Sequence, residues 1–266
     1  PSGARVIGSD PKGPKNPNDP LPFGDPDDIE YEPGLELGPE PVLLPLGERL
    51  RLETRAMHDI IESVASFNRL ILMRLDPLPD SATAAQQRQY TRARADYRDT
   101  YRKFLLATFA FEASVLASLK ESPVDATARA HVGYPLEDPP STILLRADLT
   151  AAFGEPVARR AVRMPSLPVI RSLPEWVGTE YVRLGSREGA PVIAAAVEHN
   201  LGFTRDHGAS YLGRHGLEAR AHLDRLAEWI DVHDFTGEDA DAAVNAAIRT
   251  YEGVGIWRRM FDAMTR

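Results

Sequence analysis

The chain has no cysteine. Disulfides, thiolate metal ligands and cysteine nucleophiles are therefore excluded, and the redox compartment stays open, with the cytoplasm expected by default. No apolar run approaches the roughly 18–20 residues that a membrane span needs, so no membrane association is expected. Positive charge is in deficit: 31 Lys and Arg face 39 Asp and Glu, a net charge of −8. That balance argues against nucleic-acid binding over the whole surface and leaves room only for a local basic patch. The N-terminus lacks the charged-then-apolar pattern of a signal peptide, and a start at Pro1 is consistent with processing.

What remains is 266 residues of near-average hydrophobic content, enough for one large core or two modest ones. Two materials can be told apart. Residues 1–46 hold half of the 22 prolines, with many Asp and Gly and no helical period. Proline removes backbone donors and fixes φ, so this stretch is expected to be irregular. A solvated tail is favoured over a strap laid across the domain by Phe23, Ile29, Tyr31 and Leu43. Residues 47–266 carry helical patterning throughout. The expected fold class is all-α, a single-domain helical bundle behind a proline-rich, mostly irregular N-terminal extension.

Gly47 to Leu75 reads as one long amphipathic helix. Leu50, Met57, Ile61, Val64, Asn68, Ile71 and Leu75 recur every three or four positions and draw one apolar stripe. His58 falls on the flank of that stripe, with Arg51 and Thr54 before it and Glu62 one turn later. A metal-ligating imidazole needs an acceptor for its other nitrogen, which a carboxylate at i+4 can supply. The ordinary alternative is a helical i,i+4 pair worth a few tenths of a kcal/mol.

Residues 76–81 break the chain with Pro77 and Pro79. Ser81 to Leu119 forms the next helical stretch. Its first half sets Arg88, Arg92, Arg94, Arg98, Arg102 and Lys103 among Tyr90, Tyr97 and Tyr101. Its second half is apolar nearly all round, through Phe104, Leu105, Phe109, Phe111, Val115 and Leu116, so it is expected to be buried. Asp96 and Asp99 dilute the basic half, which suits a solvated face better than a nucleic-acid platform. Docking of an acidic redox partner there is a weaker alternative. Residues 120–142 read as loop, 143–153 as a short helix stopped by Gly154, and 155–172 as a basic connector.

From Leu173 a helical pattern runs to Phe203 with Gly185, Gly189 and Pro191 inside it. Two glycines four apart cost about 1 kcal/mol each relative to alanine, and Pro191 removes a backbone bond. Either they permit a close helix crossing, or they let a flat ligand rest on bare main chain. Residues 206–216 read as a polar, glycine-punctuated turn region, and 217–230 and 238–264 as amphipathic helices. On the last, Val244, Ala247, Ile248, Tyr251, Ile256, Trp257, Met260 and Phe261 form the core face. His207, His215, His222 and His233 are too scattered to read as a metal set.

The pattern L-x-x-x-T-x-x-x-H-x-x-x-E at Leu50, Thr54, His58 and Glu62 is followed by G-S-x-x-G at Gly185, Ser186 and Gly189, with Tyr181 just upstream. In this order and separation, over roughly residues 47–264, the chain resembles the bacterial heme oxygenases. The resemblance implies heme gripped between the first helix and the glycine-bearing one. His58 would then be the proximal iron ligand, oriented by Glu62, with Thr54 and Tyr181 in the binding set. Arg51, about 10 Å along the helix axis from His58, would reach a propionate. Gly185 and Gly189 would bring backbone against the distal face, and Ser186 would help hold the water that supplies protons.

The implied activity is oxygen-dependent opening of heme to biliverdin, carbon monoxide and ferrous iron, with electrons from an external reductase or ferredoxin as redox partner. A heme-binding or heme-sensing protein on the same scaffold without turnover is the alternative. It is prompted by Glu188 where the family usually has Leu, by Pro191 just after the second glycine, and by the lack of Lys or Arg between Gly189 and Arg205. A non-heme iron site built on Glu53, His58 and Glu62 ranks last.

Overall fold

The computed structural model describes residues 44–62, 65–122, 124, 140–161 and 169–263. The expectations for residues 1–43, for Val64, for most of the 120–142 loop and for part of the 155–172 connector lie outside them. So do those for the side chains of Glu62, Met260 and Phe261. The described residues belong to one unit, Leu44–Arg266. They are helical, without a β-strand among them; the only ladder pairings are isolated bridges from Thr204 to His207 and Gly208.

The helices are α1 (Leu46–Glu53), α2 (Arg55–Glu62), α3 (Ala65–Leu72), α4 (Ala84–Glu121), α5 (Ser141–Phe153), α6 (Glu155–Ala158), α7 (Leu173–Gly185), α8 (Ala190–Leu201), α9 (Ser210–His233) and α10 (Gly237–Ala263). The fold class is the all-α bundle expected from the patterning.

The α4 helix is the longest, at 38 residues, or about 57 Å at 1.5 Å per residue. It starts on a capping box: the Thr83 hydroxyl accepts from the Gln86 amide, and the Gln86 side chain accepts from the Thr83 amide. Its length lets it serve two cores. Tyr97, Tyr101, Leu105 and Phe109 pack with α3, α5, α6, α8 and the start of α9. Phe111, Val115 and Leu119, one to three turns further on, pack with α1, α2, α7, α10 and the end of α9. Tyr97 and Tyr101 have no exposed surface and donate to the carbonyls of Leu70 and Gly208 at 2.8 and 2.7 Å. Tyr97 and Tyr101 therefore face the core, and of the three tyrosines among the arginines Tyr90 alone is partly exposed.

The second core closes around a close crossing of α7 and α10. A Cβ added at Gly178 would stand 1.9 Å from the Ala243 carbonyl oxygen, so only glycine permits this approach. A second tight contact lies at Gly216 of α9, where a Cβ would meet that of Ala190 at 2.9 Å.

Three element expectations are corrected. The stretch from 47 to 75 is not one helix, because Thr54 interrupts it. Its hydroxyl donates to the Leu50 carbonyl at 2.6 Å, alongside the Thr54 amide at 3.2 Å, a back-bond that bends helices. Nor does one helix run through Gly185 and Gly189: α7 ends at Gly185, residues 186–189 form a turn, and α8 begins at Ala190 with Pro191 in its first turn. Residues 210–216, expected as turn, open α9 instead.

Candidate functional site

The α1–α2 bend sets the first wall. Thr54 is buried there, and the His58 amide picks up the Thr54 carbonyl at 3.0 Å, so the histidine sits one turn past the bend. Its imidazole is 42% exposed, with Nδ1 3.9 Å from the exposed Asp59 carboxylate. The imidazole meets the Tyr251 ring of α10 edge-on, with centroids 6.1 Å apart and planes at 87°. Gly185 lies near the same residue: a Cβ there would find nothing nearer than the Tyr251 hydroxyl at 3.8 Å. Imidazole on α2 and glycine at the end of α7 thus both meet Tyr251 of α10. The close helix crossing that one reading gave to Gly185 belongs to Gly178.

Tyr181, one turn before Gly185, closes the same wall. Its side chain hydrogen-bonds with Thr54. Burial pushes its phenol above the ordinary tyrosine range; the Thr54 bond and the Arg51 charge work against that shift, and Glu188 adds to it. Arg51 itself is mostly exposed, with Glu48 at 3.8 Å. Glu62 ends α2, and its side chain is outside the described residues.

The turn at 186–189 forms the opposite wall. Ser186 donates to the Arg183 carbonyl at 2.8 Å, and the Arg187, Glu188 and Ala190 amides close tight bonds to Leu184, Gly185 and Arg187. Gly189 stands at the N-cap of α8, φ −75°. A cavity of about 20 Å³ lies against Ser186, lined also by Thr108, Phe111, Arg187, Trp257 and Arg258. On that measure it holds about one water-sized molecule. The side chain of Glu188 points outward, 3.5 Å from Arg220 of α9. His199, in the stretch after Gly189 that lacks Lys and Arg, lies 3.6 Å from Asp76.

Behind this turn runs a buried ionic network that the sequence reading missed. The Arg187 side chain turns into the bundle and donates from Nη2 to Glu112 Oε1 at 2.7 Å and to Ser141 Oγ at 2.7 Å. The Tyr211 hydroxyl donates to the same carboxylate oxygen at 3.2 Å. Arg183 bridges Glu112 and Glu180, with Nε 2.7 Å from the Glu180 carboxylate. Ser141 in turn meets His215 Nε2 at 3.4 Å. Two guanidinium groups face two carboxylates, with Glu112 fully hidden. One signal was visible: Glu112 is the lone carboxylate in an apolar stretch, and a hidden charge requires a partner.

Tyr251 was also missed as a site residue, because its helical position is that of a core residue and nothing local distinguishes it. No group of His, Asp and Glu able to hold a metal ion occurs among the described residues. His207, His215 and His222 go their separate ways, toward Phe203, Ser141 and Glu218. Glu53 pairs with Arg49 at 2.7 Å. No helix among the described residues is long and apolar enough to cross a membrane.

The all-α bundle is the heme oxygenase fold. Among solved structures, the NO- and CO-bound heme oxygenase of Neisseria meningitidis superposes with a TM-score of 0.60 at 19% identity, over 83% of this chain and 94% of that one. The heme complex of heme oxygenase-1 from Synechocystis sp. PCC6803 gives 0.57 at 13% identity, over 83% and 94%. The heme oxygenase of Leptospira interrogans gives 0.57 at 13%, over 82% and 100%. By sequence, the chain matches no family model and no curated protein.

Proposed function

We propose that residues 47–266 bind heme between α2 and the α7–α8 turn and open it oxidatively to biliverdin, carbon monoxide and ferrous iron, with residues 1–46 as an appended extension. The observation that carries this reading is that His58 and Gly185 both meet Tyr251, on helices of a bundle with the heme oxygenase fold. The residues present fit the group: an imidazole donor on α2, and at the end of α7 a glycine with only the Tyr251 hydroxyl within 4 Å of where its Cβ would be. Heme supplies the iron that activates oxygen, and the electrons come from an external reductase or ferredoxin in a cytoplasmic setting.

The chain's own residues then divide the work. His58 would hold the heme iron and Glu62 would orient its imidazole. Gly185 and Gly189 keep the distal wall free of side chains. Ser186 lines a cavity sized for one water, from which its hydroxyl can pass on a proton. Arg51 and Tyr181 supply charge and a hydroxyl for the propionates. Tyr251 meets both His58 and Gly185, so its ring would have to shift for a ligand to lie beside both.

That contact favours one further reading, a heme-binding or heme-sensing protein on the same scaffold without turnover. Turnover separates the two. Protein loaded with hemin and given reductant in air should lose its Soret band and gain a bilin band in the red, with carbon monoxide released. A Soret band that persists under those conditions refutes the oxygenase reading and leaves the sensor.

A further inference from the structure

We propose that the groove between the first half of α4 and the C-terminal ends of α5 and α8 binds a flat, apolar molecule that carries a carboxylate. The groove holds about 700 Å³, with Arg94, Arg98 and Arg102 on one wall and Phe153, Val157 and Phe203 on the other. None of the residues assigned to heme lines it, and the inference does not rest on the heme reading.

The three arginines occupy successive i,i+4 positions, a spacing at which like charges repel. Two of them have a structural explanation. Arg94 donates to the carbonyls of Asn200 and Leu201 at 3.3 and 3.2 Å, and Arg98 donates to the Ala152 carbonyl at 2.6 Å. These bonds satisfy the open ends of α8 and α5 and set positive charge at the negative poles of two helices.

Arg102 has no such role. Its Nη2 shares Asp99 with Lys103, while its Nε is buried and meets no acceptor among the described residues. The same side chain lines the groove and is 28% exposed, so a carboxylate in the groove can pair with its guanidinium in place of Asp99.

The rest of the lining defines what the carboxylate is attached to. Asp99 is the one acidic residue among the described residues of the lining, so positive charge is concentrated here on a chain of net charge −8. Phe153 and Phe203 meet edge to face at 6.2 Å, and the Arg98 guanidinium lies 5.4 Å over the Phe153 ring. Aromatic walls with a few convergent charges are the usual make-up of a small-molecule site. A nucleic acid is a poorer fit, since Tyr97 and Tyr101 face the core.

The test pairs 1-pyrenebutyrate with its uncharged analogue 1-pyrenebutanol, each titrated by fluorescence anisotropy. The acid should bind wild type at least fivefold more tightly than the alcohol. Arg102→Gln, which removes no helix cap, and Thr91→Glu, which adds a carboxylate to the exposed lining, should each abolish that preference. Both variants should keep the wild-type circular dichroism. Saturating hemin should leave pyrenebutyrate affinity unchanged.

Equal affinity for acid and alcohol in wild type overturns the proposal. So does displacement by hemin combined with unaltered binding in both variants, which would place the probe in the heme site. Failure of the protein to bind hemin at all would count against the heme reading and leave this test intact.

Discussion

Arg187 is the bulkiest side chain that the fold hides completely, and it is drawn in by a carboxylate 75 positions away. Replacing it with methionine roughly keeps the volume but takes from Glu112 its nearest cation and leaves it Arg183 at 3.4 Å; breaking a buried pair costs about 3–5 kcal/mol. Urea unfolding should therefore show Arg187→Met strongly destabilised. The double variant Arg187→Met, Glu112→Leu should recover part of the loss, because no charge is then left unpaired. A double variant less stable than the single would contradict this account of the pair.

The glycines make a contrasting pair at the same scale. Gly178→Ala drives a methyl into the Ala243 carbonyl, and overpacking of this kind costs about 1–3 kcal/mol or more. Gly185→Ala meets only ordinary contact and should leave stability unchanged or raise it by up to about 1 kcal/mol. Gly185→Leu should fold normally yet weaken hemin binding at least tenfold in a Soret titration. Wild-type hemin affinity in that variant would remove the glycine from the site.

Among the elements, α9 has a remote cap. Its first amides, at Ser210 and Tyr211, donate to the Asp148 carboxylate of α5 at 2.7 and 2.8 Å. Burial pushes the Asp148 carboxyl above its ordinary range, against the pull of those amides. A raised carboxyl binds its proton more readily folded than unfolded. Its contribution to stability is therefore full below the unfolded carboxylate range and is lost as pH rises through the folded value. The stability of wild type relative to Asp148→Asn should accordingly increase as pH falls from 7 toward 4, by thermal melts. A difference that does not change with pH would show that Asp148 does not titrate in this way.

Most elements were legible because their causes are local. The periods of α4, α5 and α10 and the stop at Gly154 need only propensity and burial pattern. The errors fall where distant contacts decide. The turn at 186–189 forms as Arg187 is pulled toward Glu112, and residues 210–216 become helix because Gly213 and Gly216 pack against Arg205 and Ala190. Glycine spacing alone does not separate a turn from a close approach. Thr54, Tyr181, His58 and Gly185 were marked by motif. Tyr251 was not, because its pattern is that of a core residue.

At the scale of the molecule, two cores share the long α4, and the ionic network centres on Glu112, just past the place between Phe109 and Ala110 where its two stretches meet. The site wall made by α2 belongs to one core, and the turn opposite leads into α8, which belongs to the other. An imidazole on the first and bare main chain on the second are what the heme reading requires of the fold. The most direct measurement is the absorbance spectrum of hemin with wild type, with His58→Ala, and with His58→Ala plus free imidazole. The account predicts a Soret band typical of a histidine-ligated heme in wild type, its loss or displacement in the variant, and its return when imidazole is added. Identical spectra for wild type and variant would contradict it.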